Sequence, residues 1–337
     1  MTPANSSEQD LPPECAPSGR DPSCSSPLEA VAEACDRRAE LHRISDLTGY
    51  RLFHGAADGC VGLTIDRVGS LAAIEARNYL EAELPAIAQV LLERTPVTEV
   101  AVRGSSSEAA GPHPAQLRSL VGEVPTGSIE IVEHGLHFWV SPNERRESGF
   151  FFDTRPARRW LKENSEGRRI SNLFAHTGSL GVAAAAGGAR SVVHVDNKKS
   201  PLVVAREHHA RNDLPVDDRS FIVGNVYQQL LRARRGSVEL DGIILDPPPV
   251  VPRKMAPRKP VGQDYPQLAS LAAPLLAPRG WLLCFFSRFD RTRAEYESDV
   301  LDHAGVPLEV CWRGTSGEDF PAIDPEGELR LTAFVRV

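Results

Sequence analysis

"RRISNLFAHTGSLGVAAAAGGARSVVHVD", residues 168–196, holds two apolar strands on either side of a glycine-marked turn and a helix of small residues. Strand, helix and strand joined by short connections form the repeating unit of a parallel sheet covered on both faces. The pattern extends in both directions. Helix "TRPARRWLKEN" (154–164) precedes it, and helix "SPLVVAREHHARND" (200–213), strand "SFIVGNV" (220–226) and helix "YQQLLRARR" (227–235) follow. Then come strand "LDGIILD" (240–246), helix "YPQLASLAAPLLAP" (265–278) and strand "GWLLCFFS" (280–287). The Val/Ile/Leu runs suit strands buried on both faces. A doubly wound, mostly parallel α/β domain is therefore expected over 143–337.

The chain before Pro142 has a different texture. "YRLFHGAADGCVGLTIDRVGSLAAIEARN" (50–78) alternates short apolar strands with glycine turns at Asp58-Gly59 and Val68-Gly69, as in an antiparallel meander. An amphipathic helix (80–96) and a strand, "VTEVAVRG" (97–104), follow. "GSIEIVEHGLHFWVSP" (127–142) reads as a hairpin turning at His134-Gly135. These elements predict a small α+β domain over 43–142. Upstream, "SPLEAVAEACDRRAELHRI" has helical spacing through Leu28, Val31, Ala32, Cys35 and Leu41, with Ser26 as cap, so 28–42 is a helix or linker. Residues 1–27, rich in Pro and Ser and poor in large apolar side chains, cannot bury enough surface to offset their ordering entropy and are expected to be a disordered tail.

Bulk composition excludes several classes. The 337 residues are 41% hydrophobic and 25% charged, as in an ordinary globular protein. No apolar run is long enough to span a bilayer, and the N-terminus lacks the pattern of a secretory signal. The six cysteines show no CxxC or other metal-ligand spacing, so they read as reduced thiols of a cytoplasmic protein that holds no metal. A net charge of −7 argues against a protein that coats nucleic acid and leaves room for a local basic patch.

In an open parallel sheet, ligands bind beyond the carboxyl ends of the strands, where the strand order reverses. The first such tip runs from Asn172 to Gly181. Gly178 and Gly181 let the backbone approach a ligand, and Thr177 or Ser179 can cap the next helix. G-x-G-x-x-G is absent, which disfavours NAD. Asp196 ends the next strand and can accept hydrogen bonds from both hydroxyls of a ribose, while Ser200 suits the following helix cap. Asn225 can read an adenine edge, because an amide both donates and accepts. The fourth tip, "DGIILDPPPV" (241–250), stops a core strand on an acid and three prolines. Asp246 and the Pro247 carbonyl would be rigid acceptors for a substrate amine.

Together these motifs resemble the class I S-adenosylmethionine-dependent methyltransferases, and within them the large-subunit ribosomal RNA family that includes cytosine-5 enzymes with an N-terminal PUA domain. The likeness rests on "RLFHGAADGCVGLTIDR", "VEHGLHFWV", "SGFFFDTRPARRWL", "NLFAHTGSLGVAAAAGGARSVVHVDNKKSPLVVARE", "ILDPPPV" and "DPEGELRLTAFVRV". It implies a Rossmann-like methyltransferase domain preceded by the small α+β domain. It also implies that Gly178 and its neighbours Asn172, Phe174, Thr177 and Ser179 hold the cofactor. Asp196 would take the ribose, Asn225 the adenine, and Asp246 would line the transfer site. Phe151, Asp153 and Arg155 would lie near the methionine end, with the Arg155 guanidinium on the cofactor carboxylate.

The departures bear on substrate. No PUA-like domain precedes Tyr50. The family's cysteine falls at Ser287, a far poorer nucleophile, and Cys284 lies an odd offset away on a strand, where it reads as a core thiol. Pro249 stands where amino-methylating enzymes offer an aromatic ring, which Phe151, Phe152 or Phe286 could supply instead. Methylation at nitrogen needs no thiolate. The loop "VPRKMAPRKPVGQDY" places Arg253, Lys254, Arg258 and Lys259 beside the site, as an RNA phosphate would require. The expectation is an S-adenosylmethionine-dependent methyltransferase acting on RNA at a base nitrogen. The alternatives are a small-molecule methyltransferase on the same scaffold and a non-catalytic cofactor- or RNA-binding protein.

Overall fold

Ser26 and Pro27 open the first helix, α1 (Pro27–Arg37), which α2 (Ala39–Arg43) continues after a break at Arg38. In this computed structural model, residues 26–77, 80–104, 116–143, 149–248, 264–287, 291–324 and 327–337 are described. Ala30, Val31, Ala34 and Cys35 turn inward, so α1 belongs to the core of the first sheet. That sheet has the order β1 (Gly49–His54), β2 (Leu63–Val68), β3 (Leu71–Ala76), β4 (Glu99–Gly104), β5 (Arg118–Val121). The first three strands form the expected antiparallel meander. β3 and β4 are parallel, joined over α3 (Leu84–Arg94), whose Leu84, Ile87 and Leu91 cover the same core as Leu52, Phe53 and Ile65. Asp58, in the "HGAADG" turn, is buried and accepts from the Arg38 guanidinium at 2.6 Å and the His54 N–H at 2.6 Å. The first helix is thereby locked onto the sheet.

The hairpin β6 (Ile129–Glu133)–β7 (Leu136–Val140) turns at His134 (φ 51°) and Gly135 (φ 77°), as its sequence predicts. Ile131, Phe138 and Val140 pack with Phe150, Trp160 and Leu161, so the hairpin faces the core of the second sheet. The hairpin therefore packs as a shoulder of the C-terminal unit, although its sequence is contiguous with the first.

The second unit is the doubly wound α/β domain. Its strands are β8 (Arg169–Leu173), β9 (Ser191–Asp196), β10 (Phe221–Val223), β11 (Leu240–Leu245) and β12 (Leu276–Phe286). The intervening helices are α5 (Ser179–Ala186), α6 (Lys199–Arg211), α7 (Val226–Arg235) and α8 (Tyr265–Ala272), and α4 (Arg155–Asn164) leads in. The sheet runs β10-β9-β8-β11-β12 in parallel. Beyond the sequence-predicted alternation, α9 (Arg293–His303) and an antiparallel pair, β13 (Leu308–Thr315) and β14 (Arg330–Arg336), complete it, with β14 inserted beside β12. Strand order reverses between β8 and β11, which opens the ligand crevice at their carboxyl ends.

Two helix starts differ from expectation. Gly178, in the left-handed region at φ 77°, caps α5, while the Thr177 hydroxyl donates to the Gly149 carbonyl instead. Ser200 does not cap α6: the helix begins at Lys199, and the Lys198 N–H is taken by Asp196 Oδ1 at 2.9 Å.

Candidate active site

The β8–α5 turn, Phe174 to Gly178, is strained. Phe174 (φ 60°) and His176 (φ 47°) both occupy the left-handed region, which costs a non-glycine residue of order 1–3 kcal/mol and persists only where neighbours fix it. The neighbours are Asp196 and His208. Asp196 Oδ2 accepts the His176 N–H at 2.8 Å and Oδ1 accepts the Lys198 N–H, so the carboxylate at the tip of β9 is held by two strand-tip loops. The Gly224 N–H bonds the Asp196 carbonyl at 2.8 Å, drawing the β10 tip to the same point. Buried His208 bonds the Thr177 carbonyl through Nδ1 and accepts the Trp139 N–H at Nε2, both at 2.9 Å. These bonds require the neutral ring, and burial holds its pKa down at about 4.

Beneath the turn lies a buried histidine chain. His209 Nδ1 faces the Pro215 carbonyl at 3.1 Å and so carries the proton there, leaving Nε2 to accept from His194 Nε2 at 2.9 Å. His194 Nδ1 is then an acceptor, facing Asn172 Nδ2 at 3.3 Å. This orients the Asn172 amide and leaves its buried Oδ1 without a partner among the described residues. His194 also explains a glycine. A Cβ on Gly181 would meet its Cε1 at 2.3 Å, so Gly181 serves helix-to-sheet packing.

Asp246, just past the end of β11, feels the charge of Asp153, which precedes α4. Burial, then the Asp153 charge, pushes the Asp246 carboxyl up to about 7. Burial raises Asp153 too, against the opposing fields of Arg158 and Arg51. Two under-compensated carboxylates at a crevice mouth suit a cationic ligand. Arg155 is engaged elsewhere: its guanidinium pairs with buried Asp319, Nη2 to Oδ1 at 2.6 Å. Asp319 also accepts the Arg51 N–H at 2.9 Å, so the loop between β13 and β14 ties α4 to the first sheet. Asn225 caps α7, its Oδ1 accepting the Gln228 N–H at 3.1 Å. Cys284 is fully buried with its thiol pKa pushed well up, the core cysteine expected. Arg253, Lys254, Arg258, Lys259 and Pro249 lie outside the described residues.

Sequence patterning did not single out Arg158, Glu133, Asp319 or the histidine chain. Arg158 and Glu133 form a fully buried pair, with Nε–Oε1 and Nη2–Oε2 both at 2.6 Å. The only hint was an arginine on the apolar face of α4, beside Ala157 and Leu161. Nothing local marks a partner that is distant in sequence.

The residues present fit S-adenosylmethionine: a carboxylate at the second strand tip held by backbone N–H groups, a left-handed glycine opening the helix, and two coupled carboxyl groups that a cation would help to ionise. A model of the S-adenosylmethionine-dependent methyltransferase family matches residues 112–334. The chain belongs to that family, and S-adenosylmethionine is its cofactor. It is 30% identical over 306 residues to ribosomal RNA large subunit methyltransferase I of Salmonella arizonae, covering 87% of this chain and 74% of that one. The Salmonella typhi protein of the same name is 30% identical over 316 residues, 90% of this chain and 77% of that one. Among solved structures, a putative SAM-dependent methyltransferase from Streptococcus mutans superposes with TM-score 0.78 at 22% identity, covering 91% of this chain and 80% of that one. A putative methyltransferase complexed with SAH gives 0.79 at 21% identity with the same coverage. Among the described residues no helix is long and apolar enough to cross a membrane, and no cluster of His, Cys, Asp and Glu could hold a metal.

Proposed function

We propose that the protein methylates large-subunit ribosomal RNA at a base nitrogen. The RNA part rests on the likeness to ribosomal RNA large subunit methyltransferase I, which extends over nine-tenths of the chain. The nitrogen part rests on one observation: among the described residues no thiolate is poised at the site. Ser287 follows β12 where the resemblance expects cysteine, and Cys284 is sealed in the core with its proton held on.

Asp196 would bind the ribose hydroxyls, its two oxygens already aligned by backbone N–H groups. Gly178, Thr177, Ser179, Phe174 and Asn172 would line the cofactor's path along the strained turn, and Asn225 the adenine end. S-adenosylmethionine supplies an electrophilic methyl group when bound. The substrate amine would donate an N–H to Asp246 and to the Pro247 carbonyl, aiming its lone pair. A carboxyl whose pKa sits at about 7 can accept the proton released on alkylation. Arg253, Lys254, Arg258 and Lys259 would hold RNA phosphates.

Nucleoside mass spectrometry of ribosomal RNA from a strain lacking the gene tests this. A single missing N-methylated nucleoside is expected. Loss of 5-methylcytidine would overturn the nitrogen assignment, and labelled methyl entering only a metabolite extract would overturn RNA.

A further inference from the structure

"GFFFD" sets three phenylalanines in a row, Phe150 to Phe152, and the fold treats them differently. Phe150 and Phe152 are buried and touch, with ring centroids 5.4 Å apart, and Phe150 meets Phe138 at 4.8 Å. Phe151 is 50% exposed. Its backbone is nevertheless fixed: the carbonyl accepts from Arg158 Nη1 and from the Thr154 hydroxyl, both at 2.9 Å. Arg158 is itself clamped by Glu133 and lies 4.2 Å over the Phe150 ring. The Thr177 hydroxyl holds the neighbouring Gly149 carbonyl.

The exposed ring stands 5.3 Å from the His176 ring at 52°. His176 is the strained residue whose N–H is bound by Asp196. Two rings on immobilised backbone therefore meet at the lip of the crevice, two residues from Asp153. The Asp196 carboxylate, which holds the His176 N–H, would repel a phosphate placed here, whereas a neutral base face carries no such penalty. Phe152 and Phe286 cannot stack on a ligand, being buried.

We propose that Phe151, backed by His176, is the platform on which an unpaired base of the RNA substrate stacks as it enters the site. Chemistry on a base requires it to leave its helix, and an aromatic face compensates part of the lost stacking. The inference rests on the RNA reading above and assigns Phe151 to substrate rather than to cofactor.

The test uses full-length protein, a single-stranded RNA oligonucleotide carrying 2-aminopurine, and calorimetry with S-adenosylmethionine in parallel. Phe151→Ala should weaken RNA binding about 5- to 150-fold, matching the ~1–3 kcal/mol of one base–aromatic stack, and abolish the fluorescence quenching. Phe151→Tyr should restore both, Phe151→Leu neither, and cofactor affinity should hold in all three. Quenching and affinity equal to wild type in Phe151→Leu would overturn the platform. So would a loss of cofactor affinity in Phe151→Ala with RNA binding intact. If wild-type protein bound and methylated no RNA, the RNA reading itself would fall, and this inference with it.

Discussion

Replacing Asp246 with asparagine should stabilise the cofactor-free protein above neutral pH while impairing methyl transfer. In the folded chain the Asp246 carboxyl keeps its proton up to about 7, against an ordinary value of 3.8. Between these values the unfolded chain ionises and the folded chain does not, so folding takes up a proton and stability falls as pH rises; above about 7 the penalty is constant. At 1.36 kcal/mol per unit, the gap of about three units sets a ceiling of about 4 kcal/mol. Asp246 is only half-buried by surface, so water screens part of this, and about 1–2 kcal/mol is expected. The assay is urea unfolding of wild type and Asp246→Asn at several values from about pH 4 to about pH 8. The stability difference should grow with pH and flatten above about pH 7. Asp153→Asn should lower the Asp246 value and shrink the effect, because the Asp153 charge is its second cause. A difference that does not vary with pH, or a less stable Asp246→Asn at about pH 8, would refute the uncompensated-carboxylate reasoning.

Gly181→Ala should destabilise, although alanine is the better helix former by ~1 kcal/mol. The new Cβ would strike a histidine fixed by its hydrogen bonds, so a net loss of about 1–3 kcal/mol is expected in chemical denaturation, partly relieved by adding His194→Ala. Acid should unfold the protein early. The folded His208 pKa is about 4 against 6.5, so its contribution is intact above about pH 6.5 and is lost as pH falls toward 4, at most about 3 kcal/mol; His208→Gln should flatten that part of the stability–pH curve. Asp319→Ala leaves buried Arg155 unpaired and should cost about 3–5 kcal/mol, read as a lower denaturation midpoint; a loss below 1 kcal/mol would show that the pair does not brace the two sheets.

The parallel sheet and its order of elements were legible because βα alternation writes itself locally, as a glycine turn between two apolar runs. Asp196 and Asp246 were legible as strand ends for the same reason. The antiparallel pair β13–β14 was harder, since β13 is an edge strand that reaches β14 with no helix among the described residues between them, outside the βα alternation. Arg155 shows a deeper limit. The family resemblance implied a place for it near the cofactor, and nothing local in the sequence could show that its guanidinium pairs with Asp319, 164 residues away. The caps misread at Thr177 and Ser200 have different causes. The Thr177 hydroxyl is drawn to a tertiary partner, the Gly149 carbonyl, whereas α6 starts one residue before Ser200, after a local turn in which Asp196 Oδ1 accepts the Lys198 N–H.

The most direct measurement is calorimetric titration of S-adenosylmethionine into the wild-type chain and into Asp196→Ala, with unfolding midpoints recorded for both. A crevice organised around Asp196 predicts saturable binding by wild type. It also predicts a loss of at least tenfold in the variant, since two hydrogen bonds to a charged acceptor contribute ~1.5–3 kcal/mol each, in a protein that still unfolds cooperatively. Equal affinity in the two proteins, or no binding by wild type, would contradict it.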